Sequence, residues 1–295
     1  MSNSIAAIIL AAGKGTRMKS DLHKVLHPIA GRPMLLHLMA SVDALNPAKK
    51  VVVVGDKADQ IEAALAGSAE LAVQEPQLGT GHAVQQAEGA LAGFDGDVLI
   101  LYGDVPFVPT ATMQAMIDRL GAADAPAVVV LAFEPADPLQ YGRVIAEGDR
   151  VVNMVEHKDA TDAERAVRLC NSGLMAAKAR DLFALLARVT DDNAAKEYYL
   201  VDIVNIANAD GRPCAVVKTD PGDVAGINSR AELAQAEAQW QAFKREEAMA
   251  GGASLRAPDT VWFSWDTELG RDVTIEPNVF FGPGAKVADR VTIRA

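Results

Sequence analysis

Five short apolar runs, at residues 5–10, 51–54, 71–74, 98–102 and 127–133, alternate with stretches of helical spacing that begin near Pro33, Ala58, Thr80 and Thr110. That alternation constrains the fold more than any other feature. A parallel strand pair needs a crossover of a dozen or more residues, and a helix supplies it, so the pattern predicts an α/β domain whose mostly parallel sheet is covered on both faces. In such sheets ligands bind outside the carboxyl ends of the strands. Three loops of unusual composition fall there: a glycine loop after the first run, one starting at Gln74 after the third, and one holding Asp104 after the fourth. From Tyr141 the pattern changes. Residues 141–145 and 150–156 read as a hairpin with Glu156 ending its second strand, followed by helices near 180–188 and 199–209 and a strand at 214–217.

Residues 229–250 form one helical pattern, with Leu233, Ala236, Trp240 and Phe243 roughly at helical spacing, and Gly251-Gly252 ends it. This is the expected connector. Beyond it Val261, Val273, Val279, Ala285 and Val291 share a six-residue phase, with Thr267 as the exception. A period of six is the signature of a hexapeptide β-helix. The tail is expected to hold about one coil. The division expected is therefore 1–230 for the main domain, 231–251 for the linker and 252–295 for the start of the repeat.

The glycine loop carries the chemistry. Residues 10–24 read Leu-Ala-Ala-Gly-Lys-Gly-Thr-Arg-Met-Lys-Ser-Asp-Leu-His-Lys, so a chain of net charge -11 sets Lys14, Arg17, Lys19 and Lys24 in one loop. Gly13 and Gly15 let backbone N–H groups approach and face an anion. The reading is a triphosphate cradle; the bland alternative is an ordinary turn. The loop is not a Walker A motif, and Met18 stands where the dinucleotide fingerprint needs its third glycine.

Composition excludes several classes. An acidic chain lacks the broad basic field of a nucleic-acid binder. No apolar run approaches the roughly 20 residues of a membrane span. No cationic segment precedes the first apolar run, so a signal peptide is not expected. Cys170 and Cys214 are far apart, with no metal-like spacing, and fit a reducing compartment. A cytoplasmic protein is the expectation.

Asp104 sits where a buried strand meets solvent, between Gly103 and Val105-Pro106. It reads as a Mg²⁺ ligand beside phosphates or as a turn aspartate. Asn228 reads as a second oxygen ligand or as the N-cap of the connector helix. In Gln74-Glu75-Pro76-Gln77-Leu78-Gly79-Thr80-Gly81-His82, Thr80 can cap the following helix, while Gln74 and the backbone near Gly79 can read a nucleobase edge. His82 is expected to pack or hydrogen-bond on that helix, without a catalytic part.

Taken in order, Leu10 to Met18 with Lys24, Gln74 to His82, Leu-Tyr-Gly-Asp-Val-Pro, Tyr-Gly-Arg, Val-Glu-His-Lys, Cys-Asn-Ser-Gly and Glu-Tyr-Tyr-Leu-Val-Asp resemble the sugar-1-phosphate nucleotidylyltransferases. Within them the chain is most similar to the bacterial bifunctional N-acetylglucosamine-1-phosphate uridylyltransferases/glucosamine-1-phosphate acetyltransferases. The likeness runs from about Ile5 to Arg230. It implies a Rossmann-like nucleotidyltransferase domain, a connector helix and the start of a left-handed parallel β-helix. It implies UTP and N-acetylglucosamine-1-phosphate as substrates, with Leu10, Ala11, Ala12, Gly13 and Lys24 on the nucleotide and Gln74, Gly79 and Thr80 at the uracil. Tyr102, Gly103 and Asp104 would line the site, Gly142, Glu156 and Asn171 would hold the sugar, and Asp104 and Asn228 would hold Mg²⁺. Arg17 would face the leaving pyrophosphate, with Arg17 and Lys24 the catalytic pair. The family's acetyltransferase domain is a longer β-helix that works as a homotrimer, and these 295 residues are not expected to acetylate glucosamine-1-phosphate.

These groups suit phosphoryl chemistry. A sugar phosphate has a second pKa of about 6 and is already an anionic nucleophile at neutral pH, so no general base is required. Positioning and electrostatics then do the catalysis. Two other classes compete. A nicotinamide dehydrogenase would share the architecture but needs the missing fingerprint glycine. A non-catalytic sugar-nucleotide sensor could dispense with Arg17 and Asp104, and both are present.

Overall fold

A computed structural model describes residues 4–294. The outermost positions of the expected first and last segments, residues 1–3 and 295, lie outside it, as does the start of the stretch read for a signal peptide. The chain forms two compact units. One holds the chain up to Lys14 together with Leu35–Gly226; the other holds Gly15–Met34 and the chain from Ile227 onward.

The first unit is built on strands β1 (Ile5–Ala11), β2 (Lys49–Val54), β3 (Glu70–Val73), β4 (Asp97–Tyr102), β5 (Val128–Phe133), β6 (Arg143–Glu147), β7 (Arg150–Val155), β8 (Cys170–Lys178) and β9 (Cys214–Lys218). They make one nine-stranded sheet in the order β3-β2-β1-β4-β8-β5-β9-β7-β6. The first four are parallel, with Leu10 opposite both Val53 and Tyr102, so their carboxyl ends share one edge. Neighbouring residues of β1 such as Ile8 and Ile9 are both fully buried. That requires cover on both faces, as an unbroken apolar run demands.

Helices α1 (Met34–Asp43), α2 (Ala58–Leu65), α3 (Thr80–Gln85), α4 (Thr110–Leu120), α5 (Asp162–Arg165), α6 (Ala179–Leu186) and α7 (Asp202–Ala209) follow the strands. Leu182, Leu186, Leu200 and Val204 join Ile8, Val51, Ile100 and Met175 in one buried cluster. The expected hairpin is present as β6 and β7, and Glu156 follows the last residue of β7. Strand β8 and the short helix α5 have no forecast in the sequence reading. Strand β8 enters the middle of the sheet antiparallel to both β4 and β5, with a register shift between Asn171 and Met175. Its polar start, Asn-Ser-Gly, hides it from a search for apolar runs.

In the second unit α8 (Arg230–Ala250) is the long helix expected over 229–250. Ser229 caps it, its hydroxyl accepting from the Glu232 N–H at 3.2 Å, so the N-cap reading of Asn228 is corrected by one position. Residues 15–34 pack with this helix: the Ala30 N–H donates to Glu237 at 2.7 Å, and Arg230 donates to the Met18 carbonyl at 3.3 Å.

The tail pairs in parallel at an offset of 18 residues, three times six. Thr274 lies opposite Thr292, Glu268 opposite Lys286, and Trp262 bridges Phe280. Val261, Thr267, Val273 and Val279 are buried, Ala285 is half-buried and Val291 is 36% exposed. Strand β10 (Ser254–Leu255) adds a further rung opposite Thr274–Ile275, at an offset of 20 residues. The stack is therefore longer than the single coil expected, because β10 lies out of the six-residue phase that the sequence reading followed.

Candidate active site

The carboxyl edge of β1 to β4 gathers the predicted nucleotide loops of the first unit. Leu10, Ala11 and Ala12 are buried and Gly13 is exposed. The Gly103 N–H donates to the Leu10 carbonyl at 2.9 Å, and the Gln74 N–H donates to the Val54 carbonyl at 2.8 Å, which ties the loops together strand by strand. Gln74 is buried, and its amide nitrogen donates to the Gly79 carbonyl at 2.9 Å and meets His82 Nδ1 at 3.2 Å. His82 is thus a hydrogen-bonding partner, as expected.

Gln77, absent from the predicted set, donates its amide to the Ala12 carbonyl. With Lys14, Asp56, Lys57 and Gln74 it lines a cavity of about 790 Å³. Its signal was its place in the same loop as Gln74. Gly79 packs against the Tyr198 backbone and is the residue before α3. Thr80 does not cap that helix. Its hydroxyl accepts instead from the Leu200 N–H at 3.0 Å, because the 198–200 segment crosses the helix start and competes for it.

A second cavity, about 330 Å³, lies within the same unit. Thr80, Tyr102, Gly142, Glu156 and Asn171 all line it, with Glu197 and Tyr199 beside them. Residues spread over 92 positions therefore meet in one space. The Asn171 N–H donates to the Gly142 carbonyl at 2.9 Å, and the Asn171 carboxamide oxygen accepts from the Gly173 N–H at 2.9 Å. Gly173, at φ 87°, carries the backbone under Tyr102: a Cβ there would lie 2.7 Å from the ring, so only glycine fits.

Electrostatically the cavity is acidic. Burial raises the Glu156 pKa first, and the charges of Asp159, Asp202 and Glu197 add to it. Burial, then Asp159, pushes Asp202 up to about 6. Burial also raises the Tyr102 phenol, with Glu156 and Asp104 contributing, against a hydrogen bond from Thr80. Asp104 is half-buried directly after Gly103.

The remaining predicted residues belong to the second unit. Arg17 lies exposed on the 3₁₀ turn Thr16–Met18, anchored by buried Met18. Gly15, at φ 58°, lies against the Lys24 stem, where a Cβ would come within 2.6 Å of the Lys24 Cβ. Lys24 donates from Nζ to the Asn228 carboxamide oxygen at 3.0 Å. The glycine loop of the sequence thus divides between the units, with Leu10 to Lys14 in one and Gly15 to Lys24 in the other.

Residues 7–199 match the MobA-like NTP transferase domain, and the chain belongs to that family of nucleotidyltransferase enzymes. It is similar to the Bifunctional protein GlmU of Sphingopyxis alaskensis, 89% identical over 295 residues, which are all of this chain and 65% of the relative. It is also similar to the Bifunctional protein GlmU of Zymomonas mobilis, 52% identical over 98% of this chain and 65% of the relative. The chain thus spans about two-thirds of the length of these relatives, as their 65% coverage gives. Among solved structures the inositol-1-phosphate CTP transferase from T. maritima matches with a TM-score of 0.61 at 19% identity, covering 78% of this chain and 92% of that one. That likeness shows the fold. Among the described residues no helix is long and apolar enough to cross a membrane.

Proposed function

We propose that this chain transfers uridylyl from UTP to N-acetylglucosamine-1-phosphate, giving UDP-N-acetylglucosamine and pyrophosphate for cell-wall peptidoglycan and lipopolysaccharide precursors. The observation that carries the reading is the 330 Å³ cavity, in which Gly142, Glu156 and Asn171 share a wall with Thr80 and Tyr102. Its size and polar lining suit one hexose: backbone groups, a carboxamide and a carboxylate for hydroxyls and an acetamido group. Gln74, Gly79 and Thr80 are the proposed uracil contacts, and Leu10 to Gly13 with Gly103 the nucleotide floor.

Mg²⁺ is the proposed cofactor. Asp104 would offer a hard carboxylate oxygen and Asn228 a carboxamide oxygen, which suits a cation that takes few protein ligands and keeps phosphates and water. In the structure that Asn228 oxygen accepts from Lys24. When bound, the ion would supply positive charge that offsets the repulsion between two anionic substrates. The protein's own work is positioning. Glu156 and Asn171 orient the sugar, Gln74 orients the base, and Lys24 holds the triphosphate. Arg17 stabilises the leaving pyrophosphate, where charge develops in the transition state. The domains at 1–230, 231–251 and 252–295 are proposed as transferase, linker and first part of a left-handed β-helix, with trimerisation a property proposed for the whole protein.

A pyrophosphate-release panel tests the reading: UTP, CTP, dTTP and ATP against N-acetylglucosamine-1-phosphate and glucose-1-phosphate, with and without Mg²⁺. The expected result is release with UTP, N-acetylglucosamine-1-phosphate and Mg²⁺, lost in Asp104→Ala with the thermal midpoint kept. A wild-type chain silent across the panel sinks the reading.

A further inference from the structure

Arg143 opens β6 and is only 3% exposed, yet among the described residues none of its hydrogen bonds reaches a carboxylate. Its guanidinium donates to three backbone carbonyls: Leu139 at 3.3 Å, Tyr141, and Arg165 at 3.3 Å. Taking a cation out of water without a counter-ion is costly, and an apolar side chain of similar volume would serve stability as well. The three acceptors suggest another purpose. They lie on two separate segments: the first lines the 330 Å³ cavity, and the second is bonded to His157, next to Glu156 of the cavity wall.

The first segment is the loop before β6, whose Tyr141 and Gly142 line the cavity. Other contacts hold this loop as well: the Tyr141 N–H donates to the Pro138 carbonyl at 3.2 Å, and the Gly142 carbonyl accepts from the Asn171 N–H at 2.9 Å. Leu139 is exposed at φ 39°, and its N–H is held only locally, by Asp137 at 3.0 Å. Tyr141 rests edge-on against Phe133 at 4.9 Å, and Arg168 holds the start of the loop through the Pro135 carbonyl at 2.9 Å. The second segment is α5. Its last residue, Arg165, accepts from Arg143 and itself donates to the His157 carbonyl at 3.2 Å, one residue beyond Glu156. A chain of hydrogen bonds therefore runs from the Gly142 side of the cavity to the Glu156 side. The two sides are close: a Cβ on Gly142 would lie 3.3 Å from Glu156 Oε2.

We propose that Arg143 is a positioning residue for the sugar-phosphate substrate, clamping the loop before β6 to α5 and so fixing the gap between the Gly142 backbone and the Glu156 carboxylate. The inference rests on the reading of this cavity as the sugar pocket. The planar fork is what the task needs, since its five N–H donors diverge toward carbonyls on both segments, while a lysine offers one nitrogen.

The test compares wild type, Arg143→Met and Arg143→Lys in steady-state pyrophosphate release, with hydrogen exchange of the 137–142 amides. In Arg143→Met the KM for N-acetylglucosamine-1-phosphate rises about tenfold, as expected for a displaced substrate contact. The KM for UTP and the thermal midpoint stay unchanged, and the loop amides exchange faster. Arg143→Lys falls between the two, and it alone carries the comparison if Arg143→Met does not fold. Unchanged sugar KM, or both KM values rising together with a fallen midpoint, overturns the proposal. If wild type turns over no sugar phosphate, the functional reading fails separately; unchanged loop exchange then overturns the clamp itself, and faster exchange supports it.

Discussion

Lys24 donates to the carboxamide of Asn228 at 3.0 Å, joining residues 204 positions apart. The acceptor is neutral, so the bond orients the ammonium without cancelling its charge. Lys24→Ala is expected to lower kcat/KM by about 10²–10³, the usual cost of losing a charge-stabilising donor. In kinetics of the single and double variants with Asn228→Ala, the two losses combine to less than their sum, because both remove one arrangement. Additive losses would show that the bond does not matter to turnover.

Arg17 stands exposed on its turn, and Met18 supplies the burial that holds the turn in place. Arg17→Ala is therefore expected to leave the melting temperature unchanged and to lower kcat by about 10²–10³. A change confined to KM would reassign Arg17 to ground-state binding.

Asp202 gives a pH dependence with a definite sign. Burial and the neighbouring Asp159 raise its pKa from 3.8 to about 6. The folded state then binds the proton more tightly than the unfolded chain, so this group lowers stability as pH climbs through that window and keeps it lowered above. Asp202→Asn should stabilise the protein by an amount that grows from about pH 4 to about pH 6 and then levels, of order 1 kcal/mol for a half-buried group. Thermal melts across that range would show it; a gain that does not vary with pH would contradict it.

Thr267 occupies an inward position of the tail's six-residue phase, 4% exposed, and its hydroxyl finds no hydrogen-bond partner among the described residues. Valine has nearly the same shape and no group to desolvate. Thr267→Val is expected to raise stability by about 1–3 kcal/mol, the cost of an unsatisfied buried hydroxyl. Calorimetry on the purified chain decides it, and an unchanged or lower midpoint would be the contrary result.

Local chemistry made much of this molecule readable. β1, β2 and β4 contain continuous apolar runs that only a two-sided burial satisfies, and their helices start within a residue or so of the expected positions at Pro33, Ala58, Thr80 and Thr110. Ser229 and Thr80 show where that reading stops. Both precede or begin a helix and both can cap one, yet Ser229 caps α8 while Thr80 turns to the Leu200 N–H, because a distant segment offers it a partner. β8 escaped notice for a related reason. Its Asn-Ser-Gly start is not β-like alone and becomes strand only between β4 and β5.

The order of residues was enough to determine the α/β alternation and the inward phase of the tail, since each depends on spacing within a few turns of chain. Only the tertiary structure decided that Thr80, Tyr102, Gly142, Glu156 and Asn171 enclose one cavity, that Arg143 spends a buried charge on three carbonyls, and that Gly15 to Met34 packs with the chain after Ile227. Those outcomes depend on which distant surfaces exclude water from each other, and no local pattern encodes that choice.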